Sequence, residues 1–402
     1  MQSTGYSPTA VADATERTRL ELLRRNAICE DFFRAEAPRL AEACAEMSRR
    51  FLAGGRLLAF GLGAAATDAQ HVSVEFVHPV IVGKRALPAL DLGPDFAAHV
   101  PVLLNPDDMV MGFAESDPSP AVTAALQVAR ERGALTFGLP CEAAEYAFTP
   151  PDEDPFIVQE VFEILYHLLW ETVHVYFEHR EQGHDIGAAA FLYPFLGRDK
   201  QGLAGAVEEV QASMLQKAGE VNRIRTAVAE SESDAIVRIA AACTDRLALG
   251  GKIITFGNGG SATDANDLAI DCVAPPSGMT PIPAISLSAE PANITAIAND
   301  IGSEAIFTRQ LIAHAAPHDV AIGISTSGSS PNILAALGEA RKRGLLTVGV
   351  AGYDGGKVVS ERLADHAVVV HSDYIPRLQE VQASVYHTLR HRIDELYRGN
   401  GR

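Results

Sequence analysis

The chemistry in this sequence is concentrated in two short stretches. The first is Gly257-Asn258-Gly259-Gly260-Ser261-Ala262-Thr263-Asp264, which follows the apolar run Ile253-Ile254-Thr255-Phe256 and opens a predicted helix over 264–273. Strand, glycine loop and helix together make an anion site. Glycines let the backbone turn tightly and approach a ligand, and the free N–H groups of a helix start point at it. Asn258, Gly259 and Gly260 supply such N–H groups, and Ser261 adds a hydroxyl donor. The second stretch is Ser325-Thr326-Ser327-Gly328-Ser329-Ser330-Pro331-Asn332, with five hydroxyl side chains around one glycine, ahead of an amphipathic helix predicted over 333–343. Two such loops at strand-to-helix transitions imply one phosphate held from both sides, by Ser261, Ser325, Thr326, Ser327 and Ser330.

The elements that must position these loops occur twice. Residues 124–138 resemble residues 335–349 at an offset of 211, and 58–69 resemble 254–265 at an offset of 196. Gln159-Glu160-Val161 and His167 match Gln379-Glu380-Val381 and His387 at an offset of 220. Three matches in the same order mean a duplication with small insertions. Strands are predicted near 56–60, 87–92, 109–114, 134–139 and 144–149, and again at 252–257, 283–288, 319–325, 345–351 and 366–371. Helical segments separate them, which implies a parallel sheet covered on both faces in each half. The amphipathic segments 14–52 and 205–248 are predicted helical. The expected organisation is a first domain over 1–177, an insert without a counterpart over 178–203, and a second domain over 204–402. The insert is too apolar for a free linker and is expected to pack on one half.

Composition sets the outer bounds. The 402 residues suggest two or three domains, and 47% hydrophobic with 21% charged residues describe a globular chain with a full core. A formal net charge of −18 argues against nucleic acid or an anionic membrane as a main partner. A phosphate site in such a chain depends on backbone N–H and hydroxyl groups. No apolar run approaches bilayer length, and the N-terminal residues lack the apolar core of a secretion signal. The five scattered cysteines read as reduced, buried thiols of a cytoplasmic protein.

These motifs resemble the sugar isomerase (SIS) domain, and within it the phosphoheptose isomerase group, over nearly all of both halves. The resemblance implies two tandem SIS domains, each a five-stranded parallel sheet in a flavodoxin-like three-layer α/β/α sandwich. It implies a sugar-phosphate ligand, no nucleotide cofactor, and a metal, commonly zinc. Family members are usually tetramers, so a duplicated chain is expected to form a homodimer, a pseudo-tetramer of SIS domains. In the first half the resemblance assigns metal binding to His71, Glu75, Gln159 and His167, with Glu75 and His167 moving protons. In the second half it assigns His387 to proton transfer, Glu290 and Gln379 to sugar contact, and a weaker metal set to Asp267, Asp271, Gln379 and His387.

The halves depart from the family pattern in opposite ways. The first keeps the His/Glu and Gln/His pairs but has Leu62 and Ala65 where the second has Asn258 and Ser261, and its second loop reads Phe113-Ala114-Glu115-Ser116-Asp117-Pro118. Glu115 and Asp117 would repel a phosphate dianion. The second half keeps both phosphate loops but has Asp267 and Asp271 in place of His and Glu. Two functions follow as expectations. One is aldose–ketose isomerisation of a sugar phosphate such as sedoheptulose 7-phosphate through a metal-assisted enediol; the other is a non-catalytic phosphosugar-binding regulator or scaffold.

Overall fold

The computed structural model describes residues 8–80, 84–115, 119–181 and 203–399. The expected insert at 178–203 falls largely outside them. All ten predicted strands form, in two five-stranded parallel sheets. The first sheet contains β1 (Leu57–Phe60), β2 (Ala89–Asp91), β3 (Met109–Phe113), β4 (Leu135–Leu139) and β5 (Tyr146–Ala147), in the order β2-β1-β3-β4-β5. The second contains β6 (Ile253–Phe256), β7 (Ala284–Ser286), β8 (Val320–Ser325), β9 (Leu346–Gly352) and β10 (His366–Val370), in the order β10-β9-β8-β6-β7. Read from its other edge, the second order repeats the first. Every residue of β3 and of β8 is buried, as a strand covered on both faces requires.

The helices show the same duplication. α1 (Pro8–Leu52) precedes the first sheet; α2 (Ala65–Val77), α3 (Phe96–Leu103), α4 (Pro120–Glu131) and α5 (Pro155–Glu181) alternate with and follow its strands. The second half has α6 (Leu203–Ser231), α7 (Ser233–Ala248), α8 (Gly260–Val273), α9 (Pro291–Asp300), α10 (Ile306–His314), α11 (Pro331–Lys342), α12 (Gly356–Ser360) and α13 (Ile375–Gly399). The predicted helical segment 205–248 is therefore two helices, broken at Glu232, whose non-helical φ of −112° ends the first run. Proline at the first helical turn starts both α4 and α11. Val122, Ala125, Leu126 and Ala129 are buried on α4, and Ile333, Ala336, Leu337 and Ala340 on α11. That is the spacing of one helical face laid on a sheet.

The chain divides into two compact units. One comprises Ala27–Glu220 and holds the first sheet; the other comprises Met1–Asn26 with Val221–Arg402 and holds the second. The units thus part company with the contiguous division expected from the repeat, because α1 is divided at Asn26 and α6 at Glu220. In the first unit the core gathers Leu58, Phe60, Phe96, Val110 and Leu126, with the Phe60 and Phe96 rings stacked at 4.4 Å. In the second it gathers Ile254, Phe256, Phe307, Ala321 and Leu337. A charged pair at the base of each sheet is also duplicated: Arg56 with Asp108 at 2.7 Å, and Lys252 with Asp319 at 2.6 Å.

Candidate active site

In the second unit the chain order reverses between β6 and β8: β7 lies on one side of β6, and β9 and β10 lie beyond β8. The carboxyl ends of strands at such a switch point form a crevice where open α/β sheets bind ligands. Both hydroxyl-rich loops leave from there, Gly257–Gly259 after β6 and Thr326–Ser330 after β8.

Local geometry fixes each loop. Gly257 makes the turn possible: a Cβ there would stand 2.0 Å from the Ser261 carbonyl oxygen. Gly259 has φ 58° and ψ −128°, a conformation that favours glycine, yet a Cβ on it would meet nothing within 4 Å. The turn is crowded and the position beside it is open. Ser261, in the first turn of α8, is buried. In the other loop Ser325 Oγ accepts from Gly328 N at 3.1 Å, and Ser327 Oγ accepts from Ser329 N at 3.2 Å. Ser330 is the N-cap of α11 but makes no side-chain cap bond; its hydroxyl lies 3.5 Å from both Ser325 Oγ and Ser327 Oγ. Thr326 is half-buried beside them. Asn258 and Asn332 exchange amide hydrogen bonds of 2.9 and 2.8 Å, which tie one loop to the other. Glu290 caps α9 by accepting from Ala292 N at 3.3 Å, and its side chain is exposed.

Further along α8, Asp267 and Asp271 face His387 on α13, all three buried. His387 Nε2 lies 3.2 Å from Asp267 Oδ2 and 3.4 Å from Asp271 Oδ2. Tyr386 donates its hydroxyl to Asp267 Oδ2 at 2.9 Å. Burial, and then the charge of Asp267, pushes the Asp271 carboxyl up to about 7. Near neutral pH this trio can therefore hold or release a proton. Ser261 to Asp267 is six residues, about 9 Å of helix rise, comparable to the reach of a sugar chain from its phosphate. Gln379 is buried on α13, two turns before His387.

The first unit presents the complementary case. His71 and Glu75 on α2 face each other at 3.8 Å, both buried. The His71 and His167 rings are 5.1 Å apart, and Gln159 donates to Thr67 Oγ1 at 3.3 Å, so α5 brings both its predicted residues to α2. Burial, and then His167, holds His71 well below the ordinary imidazole range, leaving it neutral as a metal donor must be. The ligand atoms of His71, His167 and Glu163 lie within 4.8 Å of one another, as do those of Asp267, Asp271 and His387. Two imidazoles and a carboxylate suit zinc. The second trio is already bonded internally.

The first unit's phosphate loop is closed in its own way. A Cβ on Gly63, the counterpart of Gly259, would stand 2.5 Å from Glu115 Oε1. A carboxylate thus lies where the second unit leaves open space. Asp117 lies outside the described residues. Sequence reasoning missed three residues. Glu163 sits midway between Gln159 and His167 at four-residue spacing, a visible signal. Asn332 and Tyr386 acquire their roles only through the partners the fold gives them.

The SIS domain model matches residues 218–352. The phosphoheptose isomerase of Paramagnetospirillum magneticum is 47% identical over 160 residues, 40% of this chain and 82% of that protein. The chain belongs to the SIS-domain family. The phosphoheptose isomerase of Maridesulfovibrio salexigens is 40% identical over 174 residues, covering 43% of this chain and 84% of that protein. Two solved structures match both halves of this SIS protein at once. Tagatose-6-phosphate ketose/aldose isomerase from Escherichia coli does so with TM-score 0.57 and 14% identity, over 98% of this chain and 96% of that one. The C-terminal domain of glucosamine-fructose-6-phosphate aminotransferase from Francisella tularensis does so with TM-score 0.58 and 9% identity, over 94% of each. At these identities the two structures establish the tandem SIS fold alone. No helix among the described residues is long and apolar enough to cross a membrane.

Proposed function

We propose that this chain is a sugar-phosphate isomerase that interconverts ketose and aldose forms, with sedoheptulose 7-phosphate as its substrate. The observation that carries the reading is in the second unit: two interlocked hydroxyl loops at the switch point, with a buried acid–imidazole trio further along the helix that one loop opens. The phosphate is held by Ser261, Ser325, Thr326, Ser327 and Ser330 with the N–H groups of Asn258, Gly259 and Gly260. Glu290 and Gln379 contact the sugar hydroxyls. A base removes the proton beside the carbonyl, and the same proton returns to the neighbouring carbon through an enediol. His387, held between Asp267 and Asp271, is the group that carries it. Glu75 and His167 stand in the unit that has Leu62 and Ala65 in place of Asn258 and Ser261, so turnover is assigned to the second unit. The donor set of the first unit fits zinc, away from the unit to which turnover is assigned.

Asp267 and Asp271 in place of His and Glu favour a second reading, a sugar-phosphate-binding regulator that performs no turnover. Conversion of sedoheptulose 7-phosphate to the aldose heptose phosphate decides between them. Turnover abolished by His387→Ala, in a variant that still binds the ligand, supports the isomerase. Tight binding without turnover by metal-loaded protein leaves the regulator.

A further inference from the structure

We propose that the first segments of α1 and α6 carry a charge code that directs each to one unit: an acidic segment to a basic last helix, and a basic segment to an acidic one. The two segments are counterparts at the offset of 196. Residues 8–26 of α1 belong to the unit of the second sheet, and residues 203–220 of α6 to the unit of the first. Each segment thus lies with the sheet of the other repeat. In the unit of the second sheet, Glu21 meets α13: its Oε1 lies 2.6 Å from His391 Nδ1 and its Oε2 2.5 Å from Arg392 Nη2. In the unit of the first sheet, Lys217 meets α5: its Nζ lies 2.5 Å from Glu171 Oε2. Lys217 is the counterpart of Glu21, and Glu171 and Thr172 are those of His391 and Arg392 at the offset of 220. The same positions on the same pair of helices therefore meet twice, with opposite polarity.

The other contacts of these segments do not distinguish one from the other. Ala14, Thr18 and Leu22 are buried on the first, and their counterparts Val210, Met214 and Ala218 on the second, so both present a stripe of the same spacing. Asn26 and Asn222 are also counterparts, and each donates its side-chain amide to the backbone oxygen of the other, at 3.2 and 3.0 Å. Arg225 Nη1 donates to both of their side-chain oxygens, at 2.9 and 3.1 Å. A residue bonded reciprocally to its own counterpart reads the same in either direction. Charge does not. With the segments interchanged, Glu21 would face Glu171, and Lys217 would face His391 and Arg392. The side chains of Glu171 and Arg392 are 0% and 8% exposed. A buried charge set against its like costs far more than a matched buried pair contributes. The two pairs therefore act chiefly by penalising the wrong docking. This inference stands whether or not the second unit turns over a sugar phosphate.

The test uses the full chain, by thermal unfolding and, after refolding from urea, by sedimentation velocity. Glu21→Lys sets like charges together and should lower Tm by about 5 °C or more relative to the neutral Glu21→Gln. Adding His391→Glu and Arg392→Thr to Glu21→Lys gives the second unit the polarity of the first. This matched variant should regain more than half of the loss, which shows that it folds. Both its segments are basic and both its last helices acidic, so either segment fits either unit. It should therefore refold into several species of different size, where the parent refolds into one. The code is overturned if Glu21→Lys costs no more than Glu21→Gln, or if the matched variant regains less than half of the loss, since the contact then has no polarity. It is equally overturned if the matched variant recovers and refolds, like the parent, into a single species, because the pairs would then stabilise without directing.

Discussion

Ser261→Ala isolates the phosphate chemistry of this chain, because the duplication has already made the same change in the other half. Ala65 occupies the equivalent position and is buried there, in a helix that starts from the same kind of turn. Gly61 and Gly257 keep that turn in both copies: a Cβ would stand 2.3 Å from the Ala65 oxygen in one and 2.0 Å from the Ser261 oxygen in the other. The fold therefore tolerates alanine, and stability should change by less than about 1 kcal/mol. Ligand binding should not be tolerant. A hydrogen bond to a charged acceptor contributes about 1.5–3 kcal/mol. Its loss weakens affinity about 10- to 150-fold. Calorimetric titration with sedoheptulose 7-phosphate and with inorganic phosphate, beside a urea unfolding curve, separates the two effects. An affinity within about twofold of the parent would refute the placement of phosphate at this loop. So would an equal loss for ligand binding and folding, since the internal comparison would then have failed.

Three further perturbations test the frame around that site. Gly257→Ala places a methyl group 2.0 Å from a backbone oxygen and should cost more than about 3 kcal/mol in denaturant unfolding. Asp271 has its carboxyl raised to about 7, so the native state holds a proton that the unfolded chain releases near the ordinary value of 3.8. Chelator-treated protein should therefore lose stability as pH rises from about 4 to 7, and Asp271→Asn should flatten that slope. A slope unchanged by the substitution would place the titrating group elsewhere. Glu21 on α1 lies 2.6 Å from His391 and 2.5 Å from Arg392 on α13. Burial opposes its charge, but these partners hold its carboxyl below the ordinary range. Its stabilisation is present above the ordinary carboxylate value and is lost as pH falls through the native one. Glu21→Gln should cost about 1–3 kcal/mol at pH 7 and little at pH 3, by urea unfolding at both.

How much of this was legible in the sequence depends on how local each feature is. The ten strands were, because most are short apolar runs with glycine or proline close behind them, and the duplication allowed one half to check the other. The phosphate loops were, because a glycine turn and its serines are neighbours in the chain. The break at Glu232 was not, since nothing apolar changes across it. The division of α1 and α6 between the units was not, because a continuous helix carries no mark of which core each turn serves. Among the site residues, the family pairs His71/Glu75 and Gln159/His167 were found by their spacing along one helix. Spacing missed Glu163, which belongs to the family pattern in neither half, and Asn332 and Tyr386, whose partners Asn258 and Asp267 lie 74 and 119 residues away.

The two copies also separate what the fold demands from what the chemistry demands. Features kept in both are architectural: the glycine under each first turn, the charged pair at the base of each sheet, the proline that starts α4 and α11. Features kept in one copy are chemical. Ser261, Asn258 and the hydroxyl loop stand in one, while His71 and Glu75 stand in the other. A copy that had merely decayed would be expected to lose buried polar groups first, since an unsupported buried charge is costly. The first unit instead holds two buried histidines with a buried glutamate beside them. That is hard to reconcile with drift. It fits a unit that lost its phosphate loop and kept its buried donor set.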